Sequence, residues 1–339
     1  MAVQFKEEAV RTSFYSIASR VLSVETTDEW TTRMVESFLR GFYLLPLTGS
    51  ISTDADCAVR VFGDEPPPRI PSAFRSFPMQ HGVGYTDGEV YHLDVNESRI
   101  VVESPATRRV DVWMGKSRVA LHPVARVNVM SYLLHFALRR CGLMDLHSAG
   151  AVEPGSGAGA LFVGDSNSGK SSLTIRLARA GWSYLSDDML LLHETPEGIR
   201  ARGLRRLFSV SASALAGCDL PRLDEALGTP VNSDPDKRRL KPWVVFPRGF
   251  AESCRPEVIY FPTITGEEES RIVSLKKADV LLRLLKLYPW ACFDAAGRDH
   301  LSFLEKLVRQ TRGYVLRAGR DILADATLAP RLLAAHINS

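Results

Sequence analysis

The stretch from Gly159 to Ala180, GALFVGDSNSGKSSLTIRLARA, decides how this chain is read. Gly159 to Val163 is an apolar run of strand type, and Gly164-Asp-Ser-Asn-Ser-Gly169-Lys170-Ser171 satisfies the pattern GxxxxGK[ST] in full. Ser172 to Ala180 then has helical character. Glycines let successive backbone N–H groups turn inward around phosphate oxygens, the helix N-terminus adds the positive end of its dipole, and a lysine adds a full charge. The expected nucleotide-binding residues are therefore Gly164, Asp165, Ser166, Asn167, Ser168, Gly169, Lys170, Ser171 and Ser172, with the Ser171 hydroxyl offered to magnesium and ATP as the ligand.

Downstream, Trp182 to Ser186 delivers Asp187 and Asp188 to the end of a neighbouring strand, and the apolar Met189 to Leu192 follows. A turn or a helix cap is the ordinary use of an Asp-Asp pair. Beside a phosphate-binding loop the pair has a chemical use, since one carboxylate can hold a magnesium shell and another can accept a proton from an attacking hydroxyl. Farther on, Asp236-Lys-Arg-Arg-Leu-Lys241 lies between Gly/Pro-containing loops and offers a cation to a transferring phosphoryl group. A solvated loop face explains it equally well. Arg239 and Lys241, which abut the apolar Trp243 to Phe246, are the candidates within that cluster, and the sequence leaves open which of them, or Arg238, points inward.

Upstream, Leu146 to Val152 and Gly159 to Val163 flank a Pro-Gly-Ser-Gly turn and fit a β-hairpin. Val124 to Leu143 repeats apolar residues (Val127, Met130, Leu134, Leu138, Cys141) at helical spacing, with Gly142 at its end. Residues 1–120 mix short strand-like runs, Ala58 to Phe62, Glu89 to Val95, Ile100 to Val102 and Val110 to Trp113, with turn clusters, as a compact α+β module would. Near the other end, Ala278 to Tyr288 and His300 to Gln310 read as helices and Gly313 to Leu316 as a closing strand. The expected organisation is an N-terminal α+β module over 1–123, a connecting helix over 124–144, a P-loop domain over 145–325 and a tail or helix over 326–339.

Composition agrees with two domains. The chain has 339 residues, 45% hydrophobic and 24% charged, enough for a sizeable core. A net charge of +3, evenly spread, points to neither nucleic acid nor membrane as partner. Five scattered cysteines without a CxxC pair read as reduced and structural. The acidic start, MAVQFKEEAVRTSF, is unlike a signal peptide, so a cytoplasmic location is expected.

With His147 before the P-loop and Leu185-Ser-Asp-Asp188 one helix after it, the chain resembles the core of HPr kinase/phosphorylase and its bacterial relatives. The spacing from Lys170 to Asp187 is similar to that family's. The resemblance covers residues 145–325 and is carried by 145–192. It implies an α/β nucleotide domain of the type shared with ATP-dependent phosphoenolpyruvate carboxykinase, preceded by a smaller α+β domain. It also implies ATP- and magnesium-dependent transfer of a phosphoryl group to a hydroxyl on a protein, a peptide or a small molecule. Carried over residue by residue, Lys170 binds β/γ-phosphate oxygens, Ser171 and Asp187 hold magnesium, Asp187 takes the substrate proton, and Asp188 and His147 orient the site.

One departure from the family pattern stands out. An acidic residue precedes the Arg-Gly-Leu stretch of that family, whereas here Arg200 and Ala201 precede Arg202-Gly203-Leu204. Either Glu194 or Glu197 compensates, or the metal depends on Ser171, Asp187 and water, which magnesium tolerates because it retains several waters. The missing carboxylate favours the alternative of a non-catalytic ATP-binding sensor or scaffold; the intact Asp187-Asp188 pair favours a kinase. A carboxykinase would need further cationic and metal-binding positions that are not found. Assembly into a homo-oligomer and the identity of the acceptor stay open.

Overall fold

The computed structural model describes residues 10–48, 54–63, 65–79, 81–103, 107–115, 123–216, 218–231, 234–287 and 295–338. The chain divides into two compact units, Met1–Met144 with Phe293–Ala296, and Asp145–Cys292 with Gly297–Ser339. Tyr288 and Cys292, named above, lie outside the described residues; Cys57, Cys141, Cys218 and Cys254 are free and buried. No helix among the described residues is long and apolar enough to cross a membrane.

The first unit is built on a nine-stranded sheet. Its centre is parallel, with Cys57–Phe62 between Arg20–Thr26 and Arg109–Trp113. The strands Ser98–Val102, Tyr91–Val95, Gly82–Thr86 and Arg75–Met79 continue outward as an antiparallel meander. Alternate residues such as Val59, Val61, Val110 and Val112 are fully buried, as a sheet packed on a core requires. Two helices accompany the sheet. Glu29–Leu39 starts at a capping box in which the Asp28 side chain accepts from the Thr31 N–H. Pro123–Arg140 is the helix read from Val127, Met130, Leu134 and Leu138, and it belongs to this first unit.

The second unit carries a six-stranded sheet ordered Ser183–Ser186, Ser148–Val152, Gly159–Val163, Pro256–Ile264, Arg312–Ala318, Arg271–Ser274. Ser148–Val152 and Gly159–Val163 form the expected antiparallel pair. Gly159–Val163 then runs parallel to Pro256–Ile264, and Pro256–Ile264 parallel to Arg312–Ala318. The hairpin strand begins at Ser148, so His147 precedes it rather than lying on it. Ala149, Ala151 and Ala160 are fully buried, and their small side chains admit Leu173 and Leu177 of the helix Lys170–Arg179 into one core with Phe162, Trp182 and Tyr260. The C-terminal helix Leu328–Ile337, which the sequence set apart as a tail or helix, places Ala329, Leu333 and Ile337 in that same core.

A second core of the same unit lies beneath a three-stranded sheet ordered Phe208–Ser211, Asp234–Leu240, Leu227–Val231. Tyr184 is its hub: 1% exposed, it meets the rings of Phe208, Phe246 and Phe250 at 5.2, 6.3 and 5.7 Å. Its N–H also donates to Gly249 O at 2.6 Å. Because Tyr184 stands three residues before Asp187, this core anchors the strand end that presents the acids. Tyr184→Ala should cost about 3–5 kcal/mol of stability, the usual scale for deleting a large buried aromatic. Urea unfolding monitored by circular dichroism measures it, and a loss below about 1 kcal/mol would contradict the anchoring role.

Candidate functional site

The loop between Val163 and the helix Lys170–Arg179 has the backbone of an anion cradle. Gly169 sits at φ +97° and Asn167 at φ +66°, the left-handed conformations that turn neighbouring N–H groups to one side. Gly164 packs closely against the loop, since a Cβ there would meet the Ser168 Oγ at 2.8 Å and make that side chain shift. No side chain caps the helix N-terminus, which leaves its first N–H groups to a ligand. Lys170 is 6% exposed and its Nζ donates to Gly164 O at 2.7 Å and Asp165 O at 2.8 Å, so the cation is held over the loop. Burial lowers its pKa, against the opposing pull of Asp188 and Asp187.

The strand Ser183–Ser186 delivers Asp187 and Asp188, but it pairs with Ser148–Val152, so one strand stands between it and Gly159–Val163. Asp187 is fully buried. Its Oδ2 accepts from the Ser171 hydroxyl at 2.9 Å and from the Ser209 N–H at 2.9 Å, while Oδ1 is buried without a hydrogen-bond partner. Burial, then the neighbouring Asp188 charge, pushes its pKa up to about 7, against the two hydrogen bonds and Arg205.

Asp188 faces the other way, into the cavity. Its Oδ2 is paired with Arg205 and its Oδ1 lies 3.4 Å from His147 Nδ1. Burial alone would raise its pKa, but Arg205, His147 and Lys170 outweigh that and hold it below the usual carboxylate range. Burial lowers the pKa of His147, against the opposing pull of Asp188.

A cavity of about 510 Å³ brings these parts together. Ser166, Asn167, Gly169, Lys170, Ser171 and Ser172 line it from the loop side. Asp188, Ser209, Ser211, Ser213, Asp234, Asp236 and Lys237 line it from the other elements of the unit. The basic cluster is not a loop between loops: Asp236 to Leu240 lies within the strand Asp234–Leu240, because Arg239 pairs in register with Ser209 and Lys237 with Ser211. Strand alternation therefore sends Phe208 and Leu240 into the aromatic core and sets Ser209, Ser211, Lys237 and Arg239 on the site side.

This settles which cation is inward. Lys237 lines the cavity, ion-paired with Asp234 at 3.1 Å. Arg239 donates to the Ser209 Oγ at 3.4 Å within the electrostatic reach of Asp187 and Asp188. Arg238 turns to Gly228 O at 3.1 Å, and Lys241 is exposed at the start of the short helix Pro242–Val245. Nor does Glu194 replace the missing carboxylate: it is exposed and bound to Lys306 at 2.7 Å, on a strand that leads away from Asp188. Glu197 follows it in an exposed turn. Arg205, Ser209, Ser211 and Ser213 escape a reading of the sequence, and Lys237 is passed over there for its cluster neighbours Arg239 and Lys241; the alternation Phe-Ser-Val-Ser at 208–211 is the signal that finds the serines.

No protein-family model matches the chain, and no curated protein matches it. Among solved structures, the chain is similar to the HPr(Ser) kinase/phosphatase from Coxiella burnetii at 12% identity and a TM-score of 0.29, over 58% of this chain and 99% of that one. A likeness at that score carries no argument about function.

The buried Asp187 sets a pH dependence. Its folded pKa lies above the ~3.9 of an unfolded aspartate, so between about pH 4 and 7 the folded protein holds a proton that the unfolded chain releases, and stability from this group falls as pH rises through that window. In chelator-treated protein, Asp187→Asn should flatten the decline in urea midpoint between pH 4.5 and 7. Parallel profiles for parent and variant would show that Asp187 is ionised throughout.

Proposed function

We propose that the unit beginning at Asp145 binds ATP through residues 164–172 and transfers its terminal phosphoryl group to a hydroxyl of a protein, peptide or small molecule. The observation that carries this reading is the placement of Lys170 and Asp188 on one cavity, a cation beside the loop and an ionised carboxylate facing the same space. In this reading Lys170 exchanges its two loop carbonyls for β/γ-phosphate oxygens, an exchange of hydrogen-bond acceptors that leaves its charge better compensated.

The roles of the two acids follow from their surroundings. The sequence reading gave the acceptor's proton to Asp187, but a fully buried group whose Oδ2 is held by Ser171 and Ser209 is poorly placed to meet an incoming hydroxyl. Asp188 suits that task, with His147 and Arg205 holding its orientation. Its low pKa is no obstacle, because phosphoryl transfer through a loose transition state asks more for positioning than for a strong base. Arg239 and Lys237 supply positive charge from the facing strand.

Ser171 and Asp187 fit magnesium: the orphaned Asp187 Oδ1 is a hard oxygen with no partner, beside a hydroxyl. Among the described residues no group of three or more His, Cys, Asp or Glu could hold a metal, so these two oxygens would share the ion with phosphate and water. Bound there, magnesium would offset negative charge on the phosphates.

One observation favours the second reading, an ATP-binding sensor or scaffold: both Asp188 oxygens already face a partner, Arg205 and His147. Experiment separates the two. ATP with magnesium should raise the thermal midpoint of the protein, because a ligand that binds only the folded state stabilises it by mass action. Lys170→Ala should abolish that shift. Asp188→Asn should keep it while cutting transfer of γ-labelled phosphate to acceptors in a cell extract by about 10²- to 10⁴-fold, the scale of general-base loss. No thermal shift with the parent protein sinks both readings; a shift without transfer from the parent favours the sensor.

A further inference from the structure

The wall of the cavity opposite the loop presents hydroxyl groups of the chain itself. Ser209 and Ser211 project from the same face of the strand Phe208–Ser211, while Phe208 and Val210 are buried in the core behind them. The Ser209 N–H is bonded to Asp187, and Ser211 stands two residues farther along, about 7 Å on at 3.3–3.4 Å per residue. The chain then turns, and the Ser213 hydroxyl comes within 2.8 Å of the Ser211 hydroxyl. Both side chains line the space that Lys170 and Asp188 also line.

We propose that this hydroxyl pair, Ser211 and Ser213, is a phosphorylation site served by the chain's own cavity. The proposal rests on the kinase reading above. A serine Oγ forms a bond to the γ-phosphorus of ATP as the bridging Pγ–O bond breaks, ADP departs with the bonding electrons, and the hydroxyl proton passes to the Asp188 carboxylate and on to water. The other serines near the loop are less suited. Ser166 and Ser172 belong to the cradle that must hold the phosphates, and the Ser209 hydroxyl takes a hydrogen bond from Arg239 on a backbone fixed to Asp187.

The product has a place to rest. Ser211 is the direct cross-strand partner of Lys237, whose ammonium is 3.1 Å from Asp234. A phosphate of charge about −1.5 to −2 attracts a lysine more strongly than one carboxylate does, so Lys237 leaves Asp234 for the phosphoserine. The same charge then stands in the cavity that receives the triphosphate, alongside Asp188, Asp234 and Asp236. The modified chain therefore binds a second ATP more weakly, and the reaction limits itself.

The test uses the purified full chain, γ-labelled ATP and magnesium, followed by trypsin and mass spectrometry. The tryptic peptide Leu207 to Arg222 contains the three serines at 209, 211 and 213. The expected result is one phosphate on Ser211 or Ser213, acquired at a rate per molecule that does not change on dilution, because the acceptor and the nucleotide share one cavity. Ser211→Ala/Ser213→Ala should lose the label, Ser211→Thr/Ser213→Thr should retain it, and circular dichroism establishes that both fold. The phosphorylated protein should show a smaller thermal shift with ATP than the unmodified protein. Label elsewhere on the chain, or a rate that scales with protein concentration, overturns the proposal. An unlabelled chain that still labels an extract acceptor overturns it while the kinase reading stands, and an absence of transfer to any acceptor removes the kinase reading itself.

Discussion

One carboxylate oxygen ties together three segments that are far apart in sequence. Asp187 Oδ2 accepts from Ser171 at the start of the helix after the loop and from the backbone of Ser209 on the three-stranded sheet, while Asp187 itself ends the strand Ser183–Ser186. Everything in the cavity is referred to that point. The helix carries Lys170, the strand end carries Asp188, and the Ser209 strand carries the serine face with Lys237 and Arg239 paired beside it. A buried carboxylate with two hydrogen-bond donors on one oxygen and none on the other carries an uncompensated desolvation cost. Such a group belongs where a cation or a proton completes it.

Charge is balanced locally around it. Lys170, Arg205, Arg239 and Lys237 are set among Asp187, Asp188 and Asp234, each close enough for one member to alter another's ionisation or to pair with it directly, and Asp236 lines the same cavity. The two adjacent acids are driven apart in pKa by their surroundings: Asp187 loses water and feels Arg205 only weakly beside its neutral donors, whereas Asp188 pairs directly with that guanidinium. Both acids stand in the bend that follows the strand, where one side chain turns to Ser171 and Ser209 and the other to the cavity.

Much of this architecture was legible before any coordinates. The hairpin ahead of the loop, the helix after it and the helix over Pro123–Arg140 follow from apolar periodicity and turn residues, which act over a few positions. The basic cluster shows no element of its own in the sequence because charged residues dominate it; its strand character comes from pairing with Phe208–Ser211, a partner more than twenty residues away. Likewise, Glu194 looked close enough in sequence to serve the metal, yet antiparallel pairing with Gly198–Gly203 carries it along a strand to Lys306.

The sequence by itself determined the glycine-bracketed loop, since GDSNSGKS between an apolar run and a helix fixes its local backbone geometry. It likewise placed two acids at the end of one strand. Only the tertiary structure decided which acid is buried, which cation faces the cavity and which hydroxyls line it. Those choices depend on strand register and on which face meets the Tyr184 core, and register is set by contacts between segments that no local pattern records.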